Sequence, residues 1–149
     1  MIIIGYQGIG KSTLAGKDRY IDLESGNFWH NGVRPDNWYV FYCQIAEHLS
    51  QQGYNVFVSS HEVVRNRLRK YSKEPLWIVC PSVKLKEEWI DKLKKRFEAS
   101  KLEKDYKAWM NAEDRYVENI KELQNSGINC IEISDMEYSL EDILANIIA

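Results

Sequence analysis

Proline is scarce in this chain, with three among 149 residues, and no stretch is repeated or low in complexity. That excludes proline-rich spacers, and nothing marks a boundary between domains. Cysteine is equally scarce. Cys43, Cys80 and Cys130 form no CxxC pair and lie inside apolar runs. The spacing fits neither a zinc site nor a disulfide framework, and the expectation is buried, reduced thiols. No apolar run approaches the ~20 residues that span a bilayer. "MIIIG" is short for a signal peptide's apolar region and has no basic stretch before it. The expectation is a cytoplasmic protein. An excess of positive charge is also missing. The net charge is −2, which gives no global field for holding nucleic acid non-specifically.

What is present is an alternation. The runs 1–4, 19–24, 54–60, 76–82 and 128–134 are short, apolar and rich in Ile and Val, as strands covered on both faces must be. Between them, 35–53, 61–71, 84–100 and 103–127 carry apolar residues three and four apart, the helical period. Gly53 and Gly127 follow the last periodic residues of two of these segments, where a left-handed cap is favoured. Ser139 is placed to cap a closing helix with acids in its first turn. This order implies an α/β fold with a parallel sheet. The stretch 25–37, "SGNFWHNGVRPDN", has the composition of a loop. Trp38, Phe41 and Tyr42 behind it follow helical spacing, which predicts core packing.

The stretch "GYQGIGKST" (5–13) lies directly behind the first strand. Gly5, Gly10, Lys11 and Ser12 satisfy G-x-x-x-x-G-K-[ST]. Glycines let the backbone wind tightly with its N–H groups turned inward, and Gly8 adds a third flexible point. A following helix would add its positive end. Lys11 is placed to reach the terminal phosphates of a nucleotide, and Ser12 to ligate Mg²⁺. Gly5, Gly8, Ile9, Gly10, Lys11, Ser12 and Thr13 are the expected contacts to the phosphates.

With this motif the chain resembles the P-loop NTPases, and among them the small kinases of nucleoside monophosphates. The resemblance rests mainly on "MIIIGYQGIGKSTLA". It implies a single domain over 1–149 built as a three-layer sandwich, with a five-stranded parallel sheet and helices on both faces. It also implies MgATP at the loop and a lid after the fourth strand, over 84–115. A second likeness, to thymidylate-kinase-like enzymes, is looser. Arg96-Phe97-Glu98 and Arg115-Tyr116 stand where those enzymes carry lid arginines, which implies that Arg96 and Arg115 close over the transferring phosphoryl group.

Other candidates come from position. "YIDLES" puts Asp22 and Glu24 two apart at the end of the second strand, where both side chains share a face. Strand ends of this kind bound the ligand crevice of open α/β sheets. Asp22 is expected to hold Mg²⁺ or the acceptor, and Glu24 the acceptor. The acid that many P-loop enzymes carry at another strand end is missing, since "YNVFVSS" ends in Ser59 and Ser60. Arg65, on the next helix, is a candidate for an acceptor's anionic group. The function expected is phosphotransfer from MgATP to a small, nucleotide-like acceptor. The alternative is a regulatory protein that binds a nucleotide and hydrolyses it slowly. No N-K-x-D sequence is present to read guanine.

Overall fold

The computed structural model describes residues 1–148. Five strands form one sheet in the order β2-β3-β1-β4-β5. They are β1 (Ile2–Gly5), β2 (Tyr20–Asp22), β3 (Asn55–Val58), β4 (Leu76–Pro81) and β5 (Cys130–Ile133), and every pairing is parallel. β1 is central and wholly buried, with Ile3 registered between Phe57 and Trp77. A strand covered on both faces has no polar side to present, which is why "MIII" shows no alternation.

The helices are α1 (Lys11–Leu14), α2 (Trp38–Gln51), α3 (Glu62–Tyr71), α4 (Lys86–Ser100), α5 (Glu103–Gln124) and α6 (Leu140–Ile148). The five longer ones match the periodic segments. α1 differs from expectation: it is a single turn, left by an extended Ala15 and by Gly16 at φ +87°. Four residues align few peptide dipoles, so little of a macrodipole is available there. Gly53 takes φ +90° directly after the Gln52 cap of α2, and the Ser139 hydroxyl accepts from the Asp142 amide at 3.2 Å, as the sequence implied. Gly127 is also left-handed, at φ +82°, but lies two residues past the Asn125 cap of α5, which closes through the Asn125 and Ser126 amides instead.

Further details are local. Trp38 and Tyr42 are buried, but Phe41 is 53% exposed. The stretch 25–37 holds a 3₁₀ turn (Ser25–Phe28) and a tight His30–Val33 hairpin. Its central Asn31 and Gly32 both have positive φ, as the favoured two-residue turn requires. Cys43 and Cys80 are buried while Cys130 is only partly so, and the Cys80 and Cys130 thiols share a hydrogen bond at 3.4 Å without a disulfide. No helix among the described residues is long and apolar enough to cross a membrane.

Candidate functional site

The loop after β1 is wound by its glycines. Gly8 sits at φ +87° and Gly10 at +107°, conformations that cost a side-chain-bearing residue about 1–2 kcal/mol. Gly5 leaves room for the loop's own side chains, because a Cβ there would lie 2.7 Å from the Ile9 Cδ1 and push it aside. The loop's carbonyls are tied from outside. The Trp89 indole donates to the Gln7 carbonyl at 2.8 Å, and the Tyr138 hydroxyl donates to the Ile9 carbonyl at 2.8 Å. Trp89 and Tyr138 stack, and Lys92 lies over both rings while donating to the Tyr138 hydroxyl.

With its carbonyls held outward, the loop's amides are left free. Those of Gln7, Gly8, Ile9, Gly10, Lys11 and Ser12 donate to no described acceptor. A run of backbone amides without acceptors can receive an anion. Lys11 stands beside it, half-buried, with no ion pair or hydrogen bond to any described residue. Burial pushes its ammonium below the ordinary lysine range, against the pull of Asp22 and Glu24. A charge kept from water without a partner is costly, and an anionic ligand removes that cost.

A cavity of about 930 Å³ opens from the loop. It lies at the carboxyl ends of β1, β2 and β3, the usual ligand position in open parallel sheets. Its floor includes Gly5, Tyr6, Gln7 and Lys11. One wall is the segment from Ser25 to Arg34, another the start of α3, and the third a face of α5. Arg65 and Arg115 both line it. Trp29, 53% exposed, lines the rim beside Arg34, whose guanidinium lies 5.0 Å from the Trp29 ring and 3.9 Å from the Trp38 ring. Ser59 and Ser60 close the end of β3, with the Ser59 Oγ 2.7 Å from the His61 Nδ1. Desolvation, with Arg34 and Lys11 nearby, pushes His61 below its ordinary range.

The remaining candidates are distributed around this space. Asp22 ends β2, and burial raises its pKa while Lys11 opposes the shift. Glu24 lies past the strand, at the cap of the 3₁₀ turn, and is exposed. Both carboxylates are close enough to act on the Lys11 ammonium. Ser12 and Thr13 are exposed at the start of α1. Arg96 does not line the cavity. Its Nε pairs with the buried Asp105 carboxylate at 3.1 Å, which draws α4 and α5 together, although its charge still reaches Lys11 and Asp22.

Sequence reasoning missed most of the α5 wall. Lys104, Lys107, Asn111, Arg115, Asn119 and Glu122 all line the cavity. Their three- and four-residue spacing puts them on one polar stripe beside the buried Ala112–Tyr116–Ile120–Leu123 stripe. A polar stripe of matching period was the available signal. Trp89 and Tyr138 had no local signal, because each meets the loop from across the chain.

The residues present fit a nucleoside triphosphate at the loop, through the unpaired amides and the unpartnered ammonium. For Mg²⁺ they offer the Ser12 hydroxyl and the Asp22 carboxylate, a small set that suits an ion completed by phosphate oxygens and water. No cluster of three or more His, Cys, Asp or Glu side chains placed to hold a metal occurs among the described residues. No protein-family model matches the chain, and no curated protein matches it.

Proposed function

We propose that the chain is a P-loop phosphotransferase that binds MgATP at residues 5–13 and passes the γ-phosphoryl to a small, nucleotide-like acceptor in the adjoining cavity. The observation that carries this reading is the Lys11 ammonium, desolvated and unpaired beside six amides with no acceptor. In this reading the amides and Lys11 hold the phosphates. Ser12 and Asp22 hold the metal, which when bound neutralises charge on the terminal phosphates. Arg115 stabilises charge on the transferring group from the α5 wall. Arg96 acts through its field and through the hinge it makes with Asp105. Arg65 and Glu24 address the acceptor.

The finer architecture belongs to the same proposal: one domain, three layers, helices on both faces. The strand order supports it. The β1-to-β2 connection travels one way across the sheet and the other three travel the opposite way. Right-handed crossovers of opposite travel fall on opposite faces. The lid assignment over 84–115 narrows, because Trp89 and Leu93 of α4 are core residues. The part that faces the cavity is the start of α5, with Lys104 and Lys107. A neighbouring reading, slow hydrolysis by a regulatory protein, is favoured by Ser59 and Ser60 standing where a carboxylate would otherwise end β3.

The test is ADP release from MgATP across a panel of nucleosides, nucleoside monophosphates and small metabolites. Phosphotransfer predicts release that depends on one acceptor class and is lost in Lys11→Ala. Saturable ATP binding with no acceptor dependence would favour the regulatory reading.

A further inference from the structure

Two serines follow β3 where a carboxylate would otherwise stand. Ser59 comes directly after the Ile4–Val58 pair of the sheet, so it runs alongside Gly5, the first residue of the glycine loop. Ser59, Ser60 and His61 line the same cavity as Lys11. The segment is braced from two sides. The Tyr42 hydroxyl accepts from the Ser59 amide at 2.9 Å, and the Arg65 Nε donates to the Ser60 carbonyl at 3.0 Å. The Tyr42 hydroxyl also donates to the Leu23 carbonyl at 2.6 Å, so α2, α3 and the end of β2 together fix where Ser59 sits.

The Ser59 hydroxyl is turned to His61, with its Oγ 2.7 Å from the Nδ1. A serine ahead of a helix ordinarily accepts from the helix's first amides. Among the described residues no amide of α3 donates to Ser59, and the His61 cap makes no side-chain bond to the helix either. The hydroxyl is spent on the imidazole alone. Trp38 sets the orientation of that ring, with centroids 5.4 Å apart and planes at 79°. Desolvation, with Arg34 and Lys11 nearby, keeps His61 below its ordinary range, so at pH 7 the ring is neutral and can accept a proton. A hydroxyl within reach of a neutral imidazole, whose ring is positioned by a third group, is the arrangement of an activated nucleophile. Lys11 acts on His61 through its charge, which puts the pair beside the residue that holds the terminal phosphates in the reading above.

We propose that Ser59 is a self-modification site: its Oγ takes the γ-phosphoryl of a nucleoside triphosphate seated in the loop, and the His61 Nδ1 takes the hydroxyl proton. The bond from Oγ to the γ-phosphorus forms as the bond from that phosphorus to the β,γ-bridging oxygen breaks. The nucleoside diphosphate leaves with the electron pair. Nothing is oxidised or reduced, and no further reactant is needed. The product is a phosphoserine of about −2 charge, within the field of Lys11 and Arg34, the two cations that already act on His61. It supplies at the end of β3 the negative charge that the sequence leaves out. The phosphoryl donor rests on the phosphotransfer reading. The pairing of Ser59 with His61 does not.

The experiment incubates the full chain with MgATP and no acceptor, locates any added phosphoryl group by peptide mass, and follows ATP binding calorimetrically on the same protein. One phosphoryl group is expected on Ser59, absent in Ser59→Ala and Lys11→Ala and retained in Ser60→Ala. His61→Gln should slow its appearance by about a hundredfold. A second arm needs no nucleotide. In the ligand-free chain, Ser59→Cys should be alkylated by iodoacetamide about tenfold faster than Ser59→Cys/His61→Gln, because a neighbouring imidazole favours the thiolate. Equal alkylation rates overturn the assignment of His61 as the base. Saturable ATP binding with no phosphoryl group on Ser59, or with the group on another residue, overturns the modification and leaves the loop reading standing. Absence of ATP binding overturns both, and the calorimetry tells the two failures apart.

Discussion

Lys11 is the residue on which stability and the proposed function pull apart. Its pKa in the folded chain lies below the ordinary 10.5. A depressed pKa means that the neutral form is favoured on folding. The associated stability is present above the unfolded value and is lost as pH falls through the folded one. At pH 7 the charged side chain is therefore a liability without ligand. Lys11→Met should melt at a higher temperature than the wild type, with the gap closing as pH is raised past 10.5. Added MgATP should reverse the order, since ligand at a hundred times its Kd stabilises a binding chain by about 2.7 kcal/mol and a non-binding one not at all. Thermal melts with and without nucleotide check both halves. Asp22 behaves in the complementary way. Burial raises its pKa above the ordinary 3.8, so its contribution is present in acid and lost as pH rises through the folded value. Asp22→Asn should be more stable than wild type at neutral pH and no different below pH 3.8. Its turnover should fall on the order of a hundredfold with ATP affinity roughly unchanged, as expected for a group that acts on developing charge. Steady-state kinetics beside a binding isotherm separate the two.

Among elements, the glycine loop behind β1 depends on neighbours far away in sequence. Trp89 on α4 and Tyr138 before α6 hold its carbonyls outward, so the loop is shaped by tertiary contacts more than by the single turn of α1. Tyr138→Phe removes one donor from the Ile9 carbonyl and should cost about 1 kcal/mol of stability in urea unfolding, with a weaker nucleotide isotherm. Gly8→Ala meets two obstacles. A side chain is strained at φ +87°, and its Cβ would lie 3.0 Å from the Leu93 Cδ2 and 3.2 Å from the Trp89 Nε1. The expected loss is about 1–3 kcal/mol, visible as a lowered denaturation midpoint. These buttresses explain why the motif was legible and its support was not. G-x-x-x-x-G-K-[ST] is local, whereas Trp89 meets Gln7 across 82 positions and Tyr138 meets Ile9 across 129. Phe41 misled for a related reason. It has the spacing of Trp38 and Tyr42, but the aromatic cluster of Phe28, Trp38, Tyr42 and His61 closes without it. Arg96 was legible as a cation near the site and illegible as the partner of Asp105, a contact that depends on how α4 turns into α5.

At the scale of the molecule, alternation of apolar runs with helical periods was enough to indicate five parallel strands, because a strand buried on both faces carries its own signature. Strand order was not, since neighbours in the sheet are not neighbours in sequence. That order puts the loop of β1 at the centre, between the ends of β3 and β4, and lets α3 and α5 meet over the cavity through Arg65, Glu122 and Arg115. The whole arrangement amounts to a basic hollow in a chain of net charge −2. The most direct measurement is calorimetric titration of MgATP into the intact chain and into Lys11→Ala, at equal ionic strength. The account predicts saturable one-to-one binding to the first and none to the second. Absence of heat with the intact chain, or the same isotherm in both, would contradict it.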